Sequence, residues 1–227
     1  MCNYYSRHRE PRNLQGAFKF PELPNMEPRY LVRPTNLESV VAIGKDGGRH
    51  LVPMRWGLVP PWAKDLKTGL TLFNARSESI LDKRTFAVPF AKGRRCLVPV
   101  DGFFEFTGPK GAKQPIYFRP RDGRIMAFAG LWESWRGSKE EPLEEPLLSY
   151  TIATAAANAT VAPYHDRMPV LFTRAEEFDA WLDQKAAPER VAKLLVPAPD
   201  DLLEAHAVTR ELLKIKQPGP EVLKAVA

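Results

Sequence analysis

Cysteine is scarce in this 227-residue sequence, which contains only Cys2 and Cys96. With 44% hydrophobic residues the chain can bury a substantial core, so its folding does not require a covalent crosslink. No apolar run approaches the roughly 20 residues that span a bilayer, and the first residues lack the hydrophobic region of a signal peptide. We therefore expect a cytoplasmic protein without membrane segments, in which the two cysteines are not paired.

Motifs for cofactors and metals are also missing. The sequence contains no glycine-rich phosphate loop, no dinucleotide fingerprint, no Cys-x-x-Cys pair and no His-Glu-x-x-His. The four histidines are widely scattered, at His8, His50, His165 and His206. The sequence therefore predicts neither a cofactor nor a metal.

The charge is distributed unevenly along the chain. Residues 1–136 contain 23 Lys and Arg against 12 Asp and Glu, whereas residues 137–227 contain 10 against 15. Clustered cations gain affinity for a polyanion by releasing the counterions condensed on its phosphates. Two interpretations remain open from charge alone: a surface that binds a polyanion, and a merely soluble basic protein.

Short apolar segments separated by turn residues predict a strand-rich protein. The predicted strands are residues 29–32, 40–43, 50–56, 95–106, 116–118, 125–132 and 147–154. Residues 108–111 (Gly-Pro-Lys-Gly) predict a hairpin connection between two of them. This pattern favours a mostly antiparallel core.

Helices are fewer. Thr173, followed three residues later by Glu176, predicts a capped helix that ends before Pro188. Residues 188–195 predict a second helix, and Ser77 is expected to cap a short helix that extends through residue 84. The acidic, proline-containing residues 137–146 predict an exposed loop. The fold class is therefore α+β, and no repeat or domain boundary is evident.

Cys2 carries a possible chemistry because removal of Met1 would leave a 1,2-aminothiol. An α-amine with a pKa near 7.7–8.0 is partly unprotonated at neutral pH and can attack an aldehyde to give a Schiff base. The neighbouring thiol can then close a five-membered thiazolidine ring. The alternative is a chance cysteine on a frayed chain terminus.

Residues 101–106 (Asp-Gly-Phe-Phe-Glu-Phe) place a carboxyl group among three aromatic rings. Strand alternation puts Glu105 on the face of Asp101 and Phe103, opposite the other two phenylalanines. Apolar surroundings would raise the pKa of Glu105 and suit it to proton transfer. A solvated glutamate on a half-buried strand is the alternative.

His165 lies in the turn-prone residues 163–169, where a histidine could exchange protons at physiological pH. A structural histidine bonded to a carbonyl would give the same pattern. Asn74 and Arg76 follow the apolar residues 70–73, so we expect them at a strand end, within reach of phosphate or aldehyde oxygens. A turn and a helix start is the alternative there.

Aromatic residues near basic ones suggest stacking on unpaired bases. Trp56 and Trp62 are the candidates, and either could instead belong to the core. Cys96, within the apolar residues 95–100, is interpreted as a small buried hydrophobe without chemistry.

Taken together, four motifs resemble the SRAP family, the SOS-response-associated peptidases, over most of the chain. The motifs are Met1-Cys2, residues 74–78 (Asn-Ala-Arg-Ser-Glu), residues 100–105 (Val-Asp-Gly-Phe-Phe-Glu) and residues 165–169 (His-Asp-Arg-Met-Pro). The resemblance implies a single compact α+β domain over residues 1–227 with a barrel-like β core. It also implies a monomer that binds single-stranded DNA in a basic groove and is found with the nucleoid.

The resemblance further implies a sensor of abasic sites. Cys2 would be the nucleophile that forms a thiazolidine crosslink with the ring-opened sugar, and Asn74 would position this cysteine or the sugar. Glu105 and His165 would transfer protons during crosslink formation or reversal, and strand cleavage by β-elimination could compete. The implied DNA contacts are Arg76, Arg84 and Arg167 to phosphates, with Pro34 and Trp62 near the displaced bases.

The sequence departs from the commonest family pattern at two places. Asn3-Tyr4 stands where Gly-Arg is usual, which removes an arginine expected near DNA, and Phe106 stands where tryptophan is usual. Two other functions remain alternatives. A cysteine peptidase using Cys2, His165 and Glu105 would need only a peptide, whereas a noncatalytic single-strand-binding module would be indifferent to Cys2.

Overall fold

The computed structural model describes residues 3–226 and is built mainly from strands. The strands are β1 (Tyr4–Arg7), β2 (Arg29–Val32), β3 (Leu37–Ile43), β4 (Arg49–Trp56), β5 (Asn74–Arg76), β6 (Arg95–Val100), β7 (Gly102–Thr107), β8 (Gln114–Pro120), β9 (Met126–Gly137), β10 (Pro142–Ala156), β11 (Arg167–Pro169), β12 (Leu171–Phe172) and β13 (Leu203–Ala207). The helices are α1 (Pro11–Phe18), α2 (Arg84–Ala91), α3 (Ala175–Leu182) and α4 (Pro188–Ala192), with 3₁₀ turns at Leu66–Thr71, Ser77–Ser79 and Pro220–Leu223. The predicted α+β class is confirmed.

Five strands close into a barrel. The order β10-β4-β3-β6-β9 returns to its start because β10 also pairs with β9, from Leu147 opposite Trp135 to Ile152 opposite Gly130. The β4–β10 pair is parallel and the other four pairs are antiparallel. The barrel-like, mostly antiparallel core predicted above is therefore confirmed.

A second sheet, in the order β13-β8-β7-β1-β2, is antiparallel throughout. The predicted hairpin at residues 108–111 joins β7 to β8, and both of its glycines adopt positive φ, a conformation that side chains disfavour. In this sheet Gly102 is required by space, because a Cβ there would lie 2.3 Å from the Tyr117 ring. That close approach allows the Tyr117 hydroxyl to reach Ser6 Oγ at 2.8 Å and so to link β8 to β1.

The second sheet and the barrel share one apolar core. Phe103 stacks on Phe118 within the sheet, with ring centroids 5.0 Å apart, and meets the barrel residue Phe128 at 6.2 Å. Tyr5 of β1 extends the contact, lying 5.2 Å from Trp56, and its hydroxyl is 2.8 Å from that of Tyr150. Through this core β1 is fixed against the barrel.

The α-helices cover the outer face of the barrel. Phe86 and Phe90 of α2 and Trp181 of α3 are buried against barrel side chains that point outward. Arg95 of β6 is buried beneath them and donates to the carbonyls of Phe90, Trp181 and Asp183. A cationic donor suits these carbonyls because the last carbonyls of a helix lack intrahelical partners. Those of Phe90 and Asp183 also accept from the backbone N–H groups of Gly93 and Ala186.

Several predicted helix boundaries are wrong. The helix expected from Thr173 begins at Ala175, and Glu177 rather than Glu176 accepts from the backbone N–H groups of Thr173 and Arg174. The helix predicted from Pro188 to residue 195 ends at Ala192. Pairing with β10 holds the preceding segment as a strand, so Ser77 starts a single 3₁₀ turn and α2 begins only at Arg84. Helix α1 was not predicted.

Two other segments differ from expectation. Only residues 138–141 form a turn within the predicted 137–146 loop, because β10 starts at Pro142 and continues the hairpin with β9. Leu66–Thr71 is a 3₁₀ turn, so Asn74 begins a short strand instead of ending one. In the described chain no helix is long and apolar enough to cross a membrane.

Candidate active site

The site forms where the final residues of β10 separate from β9. At that point β5 pairs with β10 in parallel, with Arg76 opposite Thr154, and β11 pairs with it in the antiparallel direction, with Pro169 opposite the same Thr154. The backbone of β10 therefore lies between the strand that carries Asn74 and the strand that follows His165. Residues that are about 90 positions apart in the sequence are brought together by this pairing.

Asn3 connects the start of β1 to the site. Asn74 Nδ2 donates to Asn3 Oδ1 at 3.3 Å. In the β1–β7 ladder Tyr4 lies opposite Phe104, and continuing that register by one residue brings Asn3 opposite Glu105. Cys2, the predicted nucleophile, lies outside the described residues, and Asn3 is the residue that follows it in the chain.

Glu105 is a buried carboxyl group, with 4% of its surface exposed. Burial raises its pKa to about 7, and the negative charge of Asp166 acts in the same direction. Phe103 belongs to the shared core whereas Phe104 belongs to a separate apolar cluster, so Glu105 lies on the Phe103 face as predicted. Asp101 lies outside the strands and accepts from the backbone N–H groups of residues 8 and 9.

His165 is oriented by its own turn. Its Nδ1 accepts from the backbone N–H of Arg167 at 2.9 Å and lies 2.9 Å from Asp166 Oδ1. Burial lowers the pKa of His165, which favours the neutral ring. With Nδ1 as acceptor, the neutral ring carries its proton on Nε2. On protonation, Nδ1 becomes a donor and Asp166 is its natural partner.

Arg167 is held inside the protein, with 10% of its side chain exposed. Its Nη1 and Nη2 donate to the two carboxylate oxygens of Glu78 at 2.5 and 2.9 Å. Nη2 also donates to the Thr154 carbonyl at 2.6 Å. The guanidinium therefore joins β11, β10 and the 3₁₀ turn that follows β5.

The remaining predicted DNA contacts lie nearer the surface. Arg76 on β5 and Arg84 at the start of α2 are exposed, and Pro34 is half-buried. The Arg84 guanidinium lies over the Trp62 ring, 4.9 Å from its centroid, and 46% of Trp62 is exposed. Trp56, the other tryptophan considered for base stacking, is fully buried in the barrel core.

Four residues of the site had no role predicted from the sequence: Asn3, Glu78, Thr154 and Asp166. Glu78 and Asp166 stand inside the family motifs, so their motif membership was the available signal. Asn3 joins the site through its hydrogen bond with Asn74, and Thr154 joins it through strand pairing. Among residues 3–226 no group of three or more His, Cys, Asp or Glu side chains is arranged to hold a metal ion. Cys96 is buried as predicted, and burial raises the pKa of its thiol.

The fold and the site define a β-barrel protein with a buried carboxyl group, that of Glu105, on the strand that pairs with β1. A sequence profile described as SOS response associated peptidase (SRAP) matches residues 1–215. The chain belongs to this family.

Similar proteins carry names that refer to abasic sites. The chain is 34% identical to the abasic site processing protein YoqW of Bacillus subtilis (strain 168), over 99% of this chain and all of that one. It is 36% identical to YoaM of the same organism, also named an abasic site processing protein, over 88% and 86%. It is 34% identical to the abasic site processing protein HMCES of Gallus gallus, over 77% of this chain and 57% of that one.

Solved structures share the fold. A Bacteroides thetaiotaomicron protein superimposes with a TM-score of 0.87 at 22% identity, over the full length of both chains. A Bordetella bronchiseptica protein does so with a TM-score of 0.76 at 26% identity, over 92% of this chain and all of that one.

Proposed function

We propose that this protein recognises abasic sites in single-stranded DNA and bonds to them covalently through Cys2 once Met1 has been removed. The observation that carries the proposal is the location of Asn3, which hydrogen-bonds to Asn74 and continues the strand register toward Glu105. Because Asn3 follows Cys2 directly, the aminothiol belongs next to a buried carboxyl group with a pKa of about 7. Family membership and the names of the relatives support the same substrate.

The reaction needs no added reagent. The α-amine of Cys2 attacks the aldehyde of the ring-opened deoxyribose, and loss of one water gives a Schiff base. The thiol then adds across the C=N bond: sulfur bonds to the carbon, and a proton reaches the nitrogen. The product is a thiazolidine whose mass equals protein plus DNA less one water. If the ring does not close, the Schiff base can instead promote β-elimination of the 3′ phosphate.

Glu105 is suited to move protons in both directions. At a pKa of about 7 its acid and carboxylate forms are both populated near neutral pH. The acid can protonate the departing hydroxyl during Schiff-base formation, and it can protonate the ring when the thiazolidine reopens. The carboxylate can accept the thiol proton.

His165 and Asn74 complete the site. The neutral Nε2–H tautomer of His165 can donate to the sugar or aldehyde oxygen. The Asn74 amide, already bonded to Asn3, holds the segment that carries Cys2. Arg76, Arg84 and Trp62 provide two exposed cations and an aromatic face, which suit a strand with unstacked bases.

Intact mass spectrometry tests the proposal. Protein lacking Met1 is mixed with a single-stranded oligonucleotide that carries one abasic site, beside Cys2→Ala and an undamaged strand. We expect protein plus DNA less one water, and only when both Cys2 and the lesion are present. Unmodified protein with a verified free Cys2 amine would reject crosslinking, and cleavage of a peptide by the same sample would indicate a peptidase instead.

Two variants test the assigned roles. Cys2→Ser keeps the amine but removes the thiol, so it should shift the products toward cleaved strand or a labile adduct. Glu105→Ala should retain a preformed crosslink longer than the wild type, because the ring loses its acid. Crosslink decay at the wild-type rate would exclude Glu105 from reversal.

A further inference from the structure

The Glu78–Arg167 pair has the geometry of an arginine bound to an oxyanion. Two N–H···O bonds of 2.5 and 2.9 Å, from two different guanidinium nitrogens to the two carboxylate oxygens, join the pair. Arginine binds phosphate with the same paired geometry. In this protein the anion bound to the Arg167 guanidinium is the carboxylate of another side chain, Glu78.

The two partners differ in accessibility. Only 10% of the Arg167 side chain is exposed, whereas 56% of the Glu78 side chain is exposed. The hydrogen bonds from Arg167 lower the pKa of Glu78, so its carboxylate is ionised at neutral pH. Glu78 can therefore swing away into solvent, while Arg167 remains anchored to the Thr154 carbonyl through Nη2.

We propose that Glu78 is a carboxylate latch that occupies Arg167 in the free protein and is displaced by a DNA phosphate. The inference rests on the proposed function, and it takes Arg167 as the phosphate contact that the family motif at residues 165–169 implies. A buried arginine without an anionic partner destabilises the folded protein, because its charge has lost the stabilisation by water. In the free protein the Glu78 carboxylate compensates for this loss. The exposed Arg76, two residues before Glu78, gives an incoming strand a first cation to bind.

The latch has a consequence for specificity. Displacing Glu78 breaks an existing ion pair, so every strand binds more weakly than it would to an open Arg167. With undamaged DNA, no further interaction offsets the binding free energy that is lost when the ion pair breaks. An abasic strand, by contrast, forms a covalent bond to Cys2 that retains it. Glu78 therefore reduces retention on undamaged DNA more than on the lesion.

Equilibrium binding of an undamaged oligonucleotide tests the latch, with Cys2→Ala as the background so that no covalent bond forms. Adding Glu78→Gln should tighten binding roughly three- to tenfold, because a phosphate no longer competes with a carboxylate. The slope of log Kd against log salt should stay nearly unchanged, because Arg167 neutralises one phosphate with or without Glu78; a change of about 0.7, the value for one phosphate on a single strand, would mean that the wild-type pair stays closed on DNA. Adding Arg167→Gln to Glu78→Gln should abolish the gain in affinity.

The matched control is Glu140→Gln, which removes the same charge from an exposed position at the tip of the β9–β10 hairpin. Glu78→Asp keeps the charge and should bind close to the wild-type background, and thermal unfolding reports whether each variant is folded. Unchanged or weaker binding by folded Glu78→Gln, or tighter binding that persists when Arg167→Gln is added, would overturn the latch and leave the pair as a permanent clamp between β11 and the 3₁₀ turn that follows β5. The crosslinking assay on wild-type protein reports separately on the proposed function.

Discussion

At the scale of single residues, two side chains of the same type can have different roles because their burial differs. Trp56 and Trp62 lie six positions apart, yet the first is fully buried in the barrel and the second is 46% exposed beneath Arg84. Glu105 is similarly distinguished from surface glutamates by burial, which raises its pKa to about 7. Each difference leads to a prediction.

We expect Trp62→Ala to weaken binding of single-stranded DNA by about 1–3 kcal/mol, the range for loss of one base–aromatic stack. Its free energy of unfolding should change little, because 46% of the Trp62 surface is already exposed to solvent in the folded protein. Fluorescence anisotropy with an undamaged oligonucleotide measures the affinity. Val196→Ala, another exposed apolar position, is the control. Equal affinities for the two variants would mean that Trp62 does not stack on bases.

We expect Glu105→Gln to become more stable relative to wild type as pH rises. The folded-state pKa of Glu105 is raised from 4.5 to about 7, so between these values the folded protein binds more protons than the unfolded chain. Wild-type stability therefore falls as pH rises through this window and levels off above it. The difference in free energy of unfolding should grow by about 3 kcal/mol, as measured by urea denaturation at about pH 4.5 and pH 8. A pH-independent difference would contradict the raised pKa.

At the scale of elements, strand ends and helix ends determine where side chains meet. The last residues of β10 bring β5 and β11 to the same place, and this creates the site. On the outer face, Arg95 of β6 joins the carboxyl ends of α2 and α3 by donating to three carbonyl groups. One buried guanidinium thus connects the barrel to two helices.

We expect Arg95→Leu to lower the free energy of unfolding by about 3 kcal/mol or more, because it removes three hydrogen bonds that a buried charged donor makes to the carbonyls of Phe90, Trp181 and Asp183. Chemical denaturation measures the loss. Arg121→Leu removes an arginine from an exposed position and should stay within about 0.5 kcal/mol of wild type. Similar losses in the two variants would show that the Arg95 hydrogen bonds do not support the helices.

At the scale of the whole molecule, aromatic contacts join the barrel and the second sheet in one core. We therefore expect the two sheets to unfold together. Phe103, from the sheet, lies 5.0 Å from Phe118 and 6.2 Å from Phe128 of the barrel. The site depends on this contact, since β1 belongs to the second sheet whereas β5 and β11 pair with the barrel strand β10.

We expect Phe103→Ala to lower stability by about 3–5 kcal/mol, as for other large-to-small core substitutions. Tryptophan fluorescence reports on the barrel, which contains Trp56, and far-UV circular dichroism reports on both sheets. The two midpoints should shift together. A barrel transition that stayed at the wild-type denaturant concentration would show that the sheets unfold independently.

The sequence by itself determined the five barrel strands, the hairpin at residues 108–111, the face on which Glu105 lies and the four motifs that indicate the family. It did not predict β1, β5, β11, β12 or β13. The features that it determined depend on neighbours a few residues apart, because alternation, turn glycines and motif spacing are local properties. The sequence could not determine helix limits such as the start of α2, where tertiary pairing of the preceding β5 overrides a favourable cap.

Only the tertiary structure decided which distant residues meet. The parallel pairing of β4 with β10, the hydrogen bond between Asn3 and Asn74 and the ion pair between Glu78 and Arg167 join positions that are 71 to 94 residues apart. Their partners are selected by the register of strands around a common core, which depends on every strand in the barrel at once. Tertiary burial likewise gave Glu105 its raised pKa and assigned Trp56 to the core and Trp62 to the surface.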